Sequence, residues 1–144
     1  MKMRGVRVGS LSLFLLAFTC CAKSPADQLK AQLQTVTSWT ATARMVGEAW
    51  LKGYLPHAYT ARTLRTAQET ISEEAKTIQG ENPSEVAELH ASVLGQARSL
   101  EQLIGQMRAA VENRDGSALS QQLKQLEGEE ETIKALAKSG GVQP

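Results

Sequence analysis

The segment "VAELHASVLGQARSLEQLIGQMRAAV", Val86–Val111, decides the fold because its apolar side chains recur every three or four residues. The recurring positions are Val86, His90, Val93, Ala97, Leu100, Ile104, Met107 and Val111. This spacing puts them on one stripe of a helix, which must pack against other helices to leave water. The turn-forming stretches "ENPSE" before it and "NRDGS" after it predict a helix from about Pro83 to Asn113.

Three other segments repeat this amphipathic pattern, and they predict helices over residues 25–52, 56–79 and 117–138. The stripe of the first consists of Leu29, Leu33, Val36, Thr40, Ala43, Gly47, Trp50 and Tyr54. Ser24, Pro25 and Asp27 form a helix start signal just before it. No segment shows the alternating pattern of a strand. We therefore predict an all-α fold, an antiparallel up-down-up-down four-helix bundle over residues 23–138, followed by a flexible tail at 139–144.

The composition bounds the function classes. The chain of 144 residues has a net charge of +1, and three of its 16 basic residues, Lys2, Arg4 and Arg7, lie in the first 21 residues, which contain no acid. Without that segment the balance is 13 basic against 15 acidic residues. A nearly neutral body does not suit nucleic-acid binding, which needs many cations against the phosphates, so we expect no nucleic-acid partner.

The first 22 residues read as an export signal. The three basic residues precede an apolar run, "VGSLSLFLLAFT", which has the length of a signal-peptide core and is too short to span a membrane comfortably. Two cysteines, Cys20 and Cys21, close this segment. Ordinary cleavage after "CCA", a small-x-small site, would release a soluble secreted protein beginning at Lys23, and an uncleaved anchor is a third alternative.

The stretch "LAFTCC" resembles the lipobox of bacterial lipoproteins. The resemblance covers the signal only, and it implies that a cysteine receives acyl chains such as palmitate and becomes the mature N-terminus. Cys21 fits better than Cys20, because a small residue precedes it. The leucine and glycine usual in a lipobox are missing. The resemblance implies a lipid-anchored protein of the bacterial cell envelope, which faces the periplasm or the exterior and contacts the membrane through its N-terminal lipid.

The predicted topology brings the first and third turns to the end of the bundle that is distal to the lipid. Residues 39–59 hold all four aromatic side chains that follow the signal. Aromatic side chains mixed with arginine are enriched in protein-binding hot spots. We therefore predict an interaction surface, here called the tip surface, made of Trp50, Tyr54, His57, Tyr59, Arg62 and Arg65. The alternative is that Trp50 and Tyr54 cap the core while the cations pair with neighbouring acids.

Motifs for chemistry are missing from the sequence. Bundles that hold two metal ions use Glu-x-x-His on two helices, but Ala87 stands three residues before His90 and Tyr54 three before His57. Phosphate-binding loops and nucleophile motifs are also missing. We predict no metal, no cofactor and no enzymatic activity, with His90 buried and hydrogen-bonded and His57 exposed.

These features predict a non-enzymatic envelope lipoprotein that works as a helical interaction or scaffold module for an unknown envelope protein. Two alternatives stay open. The heptad spacing also suits a coiled-coil structural lipoprotein, assembled as a homo-oligomer. The thin positions Thr40, Ala43 and Gly47 suit a periplasmic carrier with room for a small apolar ligand between the first and third helices.

Overall fold

The computed structural model describes residues 24–81 and 86–139, and these residues form four helices. The helices are α1 (Pro25–Leu51), α2 (His57–Gly80), α3 (Ala87–Glu112) and α4 (Gly116–Ser139). The described chain is 90% helical and contains no strand, which confirms the all-α prediction. The predicted signal with Cys20 and Cys21, the turn at 82–85 and the tail from residue 140 lie outside the described residues.

The start of α1 follows the predicted capping pattern. The Ser24 hydroxyl accepts a hydrogen bond from the Asp27 backbone N–H at 3.1 Å and donates one to the Asp27 carboxylate at 2.8 Å. Pro25 occupies the first helical position, where its missing N–H costs nothing. The helix therefore begins where the sequence predicts.

The core is built from the predicted stripes. In α3 every stripe residue from His90 to Val111 is buried, and in α1 the stripe is buried from Leu29 to Gly47. The buried residues contributed by α2 and α4 are Thr60, Ala61, Leu64, Ala67, Ile71, Ala75, Ile78, Leu119, Leu123, Leu126 and Ile133. One apolar core thus runs along all four helices, and its burial is the main stabilising term of the fold.

Each helix has two principal neighbours. Both α1 and α3 pack against α2 and against α4, whereas the backbones of α2 and α4 do not approach each other closely within the described residues. Contacts between α1 and α3 are less extensive and cross the centre of the molecule. Near the end of α1, Leu51 Cδ2 would lie 3.4 Å from a methyl group placed on Gly116, the first residue of α4. Arg65 Nη2, early in α2, lies 3.6 Å from Glu112 Oε1 at the end of α3.

His90 ties the start of α3 to the end of α2. Its ring is 8% exposed, and Nε2 lies 2.5 Å from the carbonyl oxygen of Ile78. Because a carbonyl only accepts, Nε2 carries the proton and donates. Ile78 is in the last turn of α2, and its carbonyl also accepts the Glu81 N–H at 3.2 Å, so the imidazole adds a second hydrogen bond at the end of that helix. The prediction of a buried, hydrogen-bonded His90 is confirmed.

Candidate interaction surface at the α1–α2 turn

The turn between α1 and α2 is fixed by backbone hydrogen bonds. The Tyr54 N–H donates to the Ala49 carbonyl at 2.9 Å, and the Gly53 N–H donates to the Trp50 carbonyl at 2.9 Å. This pair of bonds is the Schellman motif, which needs a left-handed residue just after the cap. Gly53 takes that conformation, with φ at 73°. The turn therefore holds Tyr54 at a defined place.

The aromatic members of the tip surface are unequally exposed. Tyr54 is 76% exposed and Tyr59 is 54% exposed, while Trp50 is half-buried and packs against the core. The prediction that Tyr54 continues the buried stripe of α1 is wrong. Helix α1 ends at Leu51, and the reversal at Gly53 carries Tyr54 off the helical stripe into solvent.

The prediction that His57 is exposed is also wrong, because it opens α2 and is half-buried. Its Nε2 atom is buried and has no hydrogen-bond partner among the described residues. The first turn of α2 contains no acid, and Pro56 offers no side-chain cap. This end of α2 therefore carries the partial positive charge of a helix N-terminus without a neutralising group.

The two arginines of the tip surface differ in their partners. Arg65 and Arg108 both lie 3.6 Å from Glu112 Oε1, and the exposed pair with Arg65 adds little to stability. Arg62 is exposed, and no carboxylate of the described residues lies within ion-pair distance of it. The alternative in which neighbouring acids neutralise the cations thus holds for Arg65 and not for Arg62.

The structure adds residues that the sequence pattern did not single out. Leu51, at the end of α1, is 40% exposed, and the sequence pattern gave no reason to assign it to the tip surface. Arg108 was detectable, because it stands four residues before Glu112 on the same helix. Arg114, beside Glu112 in the next turn, adopts a left-handed φ of 56°, which nothing in a one-dimensional pattern indicates for arginine.

The space predicted beside the thin positions of α1 is filled. A methyl group on Gly47 would lie 3.2 Å from Leu123 Cδ2 and 3.3 Å from Met107 Cε, and Thr40 and Ala43 are fully buried. Thr40 also borders a depression of about 170 Å³ between α1 and α4, whose rim includes Arg44, Glu130 and Lys134. The sequence could not show that Met107 and Leu123 reach into this region.

Metal sites and membrane spans were also sought in the described residues. Within residues 24–81 and 86–139 there is no cluster of three or more His, Cys, Asp or Glu residues that could hold a metal ion. Over the same ranges, none of the helices combines the length and the hydropathy of a membrane span. Comparison of the chain with protein-family models, curated proteins and solved structures found no match.

Proposed function

We propose that this protein is a small lipoprotein of the bacterial cell envelope, anchored to a membrane by acyl chains on Cys21, or on Cys20 as the alternative site. The support is the basic and apolar N-terminal segment and its lipobox-like end. One acyl chain holds a protein only marginally, whereas two or more make release negligible. Helix α1 begins at Pro25, a few residues after Cys21, so an anchor at that cysteine would keep the bundle close to the lipid surface.

We infer that the four helices run alternately up and down, which is supported by the contacts between their ends. The end of α1 lies beside the start of α4, and the start of α2 beside the end of α3. At the other end, Gln32 early in α1 donates to Glu81 just after α2 at 2.7 Å. In this topology the tip surface lies opposite the anchored end, about 40 Å away for a helix the length of α1.

The proposed role of the bundle is to dock a protein partner, without catalysis. The observation that carries this role is the exposure of Tyr54 and Tyr59 at one end of the molecule. Tyrosine offers a large contact area with few rotatable bonds, which is why it is enriched at binding sites. Both positions face solvent, and the fold itself does not require an aromatic ring at either of them.

A homo-oligomeric coiled coil receives less support, because the stripes that would pair between chains are already buried within one chain. An apolar-ligand carrier is the second candidate. It is favoured by an apolar depression of about 180 Å³ at the opposite end, bordered by Leu29, Leu33, Val86 and Leu89. Saturable binding of a fluorescent fatty acid, weakened by Leu89→Gln, would support it.

The anchor is tested by metabolic labelling with radioactive palmitate. We expect the wild type and the Cys20→Ser variant to be labelled, and the Cys21→Ser variant and the double variant to lose the label. Equal labelling of the double variant and the wild type would contradict the anchor. Labelling lost only with Cys20→Ser would move the modification to Cys20.

The docking role is tested by photo-crosslinking in intact cells. A photoreactive amino acid placed at Tyr59 should yield a discrete protein adduct. The same group at Met45, which is 63% exposed on the side of α1, serves as the matched control. Identical adducts from both positions, or none from Tyr59, would contradict docking at the tip surface.

A further inference from the structure

We propose that the tip surface recognises an acidic segment of its partner protein, in which carboxylates meet Arg62 and an apolar or aromatic side chain packs against Tyr54 and Tyr59. This inference rests on the proposed docking role and names the chemistry of the partner. It is carried by the local charge, by the unpaired state of Arg62 and by the fixed geometry of the turn.

Along the chain, the charges around the α1–α2 turn are of one sign, and the acid that pairs with Arg65, Glu112, comes from the end of α3. Between Glu48 and Glu69 the sequence holds Lys52, Arg62 and Arg65 and no acid. All three cations are exposed. The uncapped start of α2 adds its partial positive charge at the same place. A partner with negative charge is therefore attracted to this end, and a basic partner is repelled.

Of the two arginines, Arg62 is the one whose guanidinium is available to a partner. Glu112 already shares its charge between Arg65 and Arg108, whereas Arg62 is free of any carboxylate in the described residues. A guanidinium can bind a carboxylate through two parallel hydrogen bonds, which gives geometry as well as attraction. Arg62 also stands three residues after Tyr59, so the two side chains are neighbours on the surface of α2.

The turn is ordered before any partner arrives. Two backbone hydrogen bonds close the end of α1, and Pro56 restricts the chain just before α2. A surface that is already ordered loses less entropy on binding. Because Tyr54 and Tyr59 lie on the two sides of Pro56, a partner can pack an apolar side chain against rings whose backbone positions are set.

The test is a selection of random twelve-residue peptides, displayed on phage, against the full-length protein in detergent micelles. We expect the selected peptides to be richer in Asp and Glu than the starting library. A synthetic copy of the most enriched peptide should bind about tenfold more weakly to Arg62→Glu and to Tyr59→Ala. Added salt should weaken it further, as for any charge-steered contact.

Two matched variants act as controls. Lys76→Glu makes a comparable charge change at an exposed position of the same helix, about three turns beyond Arg65. Met45→Ala removes an exposed apolar side chain elsewhere. Both should bind the peptide as the wild type does. An equal loss with Lys76→Glu would show that overall charge, and not the tip surface, attracts the peptide, which would overturn the inference.

The remaining outcomes separate this inference from the docking role. Peptides that depend on Tyr59 and Arg62 but show no excess of acids overturn the inference and leave docking at the tip intact. Peptides indifferent to both variants overturn both. Vesicles of phosphatidylcholine and phosphatidylglycerol form a further arm, and binding to them that depends on Arg62, without acidic peptides being selected, would assign the surface to anionic lipid instead.

Discussion

The α1–α2 and α3–α4 turns near the tip surface have the same backbone conformation and differ in their side chains. In each, the second residue after the helix cap donates to a carbonyl five residues back: Tyr54 to Ala49 at 2.9 Å, and Asp115 to Ala110 at 2.8 Å. In each, the residue before it is left-handed, Gly53 in one turn and Arg114 in the other. The same pattern of hydrogen bonds therefore closes α1 and α3.

The two turns differ in whether a side chain caps the helix that follows. The Asp115 carboxylate accepts the Ala118 N–H at 2.9 Å and caps α4, so the α3–α4 turn is polar and satisfied within itself. The α1–α2 turn gives α2 no side-chain cap and exposes Tyr54 and Tyr59. Since the polar turn reaches the same geometry without aromatic rings, geometry alone does not account for the two tyrosines.

The largest expected effect comes from the residue that holds each turn to the core. Leu119, early in α4, is fully buried, whereas Leu55 in the α1–α2 turn is half-buried. Leu119→Ala should lower the free energy of unfolding by about 2–5 kcal/mol, because it removes buried methyl groups and leaves a cavity. Leu55→Ala should cost clearly less in the same urea titration. Equal losses would mean that both turns are anchored alike.

A smaller effect separates the two turns by their caps. Asp115→Ala should cost about 1 kcal/mol, since the Ala118 N–H loses its acceptor. Asp115→Asn should restore most of that loss, because an amide oxygen can also cap. Urea titrations of the two variants beside the wild type measure this. A loss that is the same for alanine and asparagine would show that the cap does not matter and that the turns differ only in composition.

The left-handed positions are expected to respond with opposite signs. Gly53→Ala adds a side chain where φ is positive and should cost about 1 kcal/mol. Arg114→Gly removes that conflict at the equivalent position and should be close to neutral or stabilising by a few tenths of a kcal/mol. Thermal melts of both variants, each compared with the wild type, decide the sign. A stabilising Gly53→Ala would contradict the equivalence of the two turns.

The sequence predicted the helices and most of the core because burial follows helical periodicity, as at Leu29, Leu33 and His90. It failed at Tyr54, where the spacing continued after the backbone had reversed at Gly53. It failed at His57, because the exact residue that opens α2 decides whether the ring packs inward. Local periodicity carries no information about where a helix ends or about which side chains of different helices contact each other.

The candidate site was predictable only as a set of residue types. Its aromatic and basic members stand close in the sequence, so a short turn necessarily gathers them. Which of its arginines forms an ion pair was not predictable, because the pairing depends on a residue of α3. Glu112 comes from the other turn and neutralises Arg65, while Arg62, three residues earlier, has no such neighbour among the described residues.

The smallest expected effect lies at the far end of α2, where the charge is opposite to that of the α1–α2 turn. Burial raises the pKa of the Glu74 carboxyl above its ordinary 4.5, and the negative charges of Glu73 and Glu81 raise it further. A raised pKa means that the folded protein holds this proton more tightly than the unfolded chain. The contribution of Glu74 to stability therefore improves as the pH falls from neutral through the raised pKa.

Glu74→Gln imitates the protonated form, so it should raise the free energy of unfolding slightly at pH 7. The gain should shrink as the pH falls and vanish below 4.5, where wild-type Glu74 is itself protonated. Urea titrations of both proteins across this range measure the difference. Glu69→Gln, an exposed charge removal on the same helix and nearer to Arg65, is the control and should give a smaller gain, because it removes an acid close to the basic turn. An equal gain in the two variants at pH 7, unchanged at acid pH, would show that α2 has no acidic end distinct from its basic one.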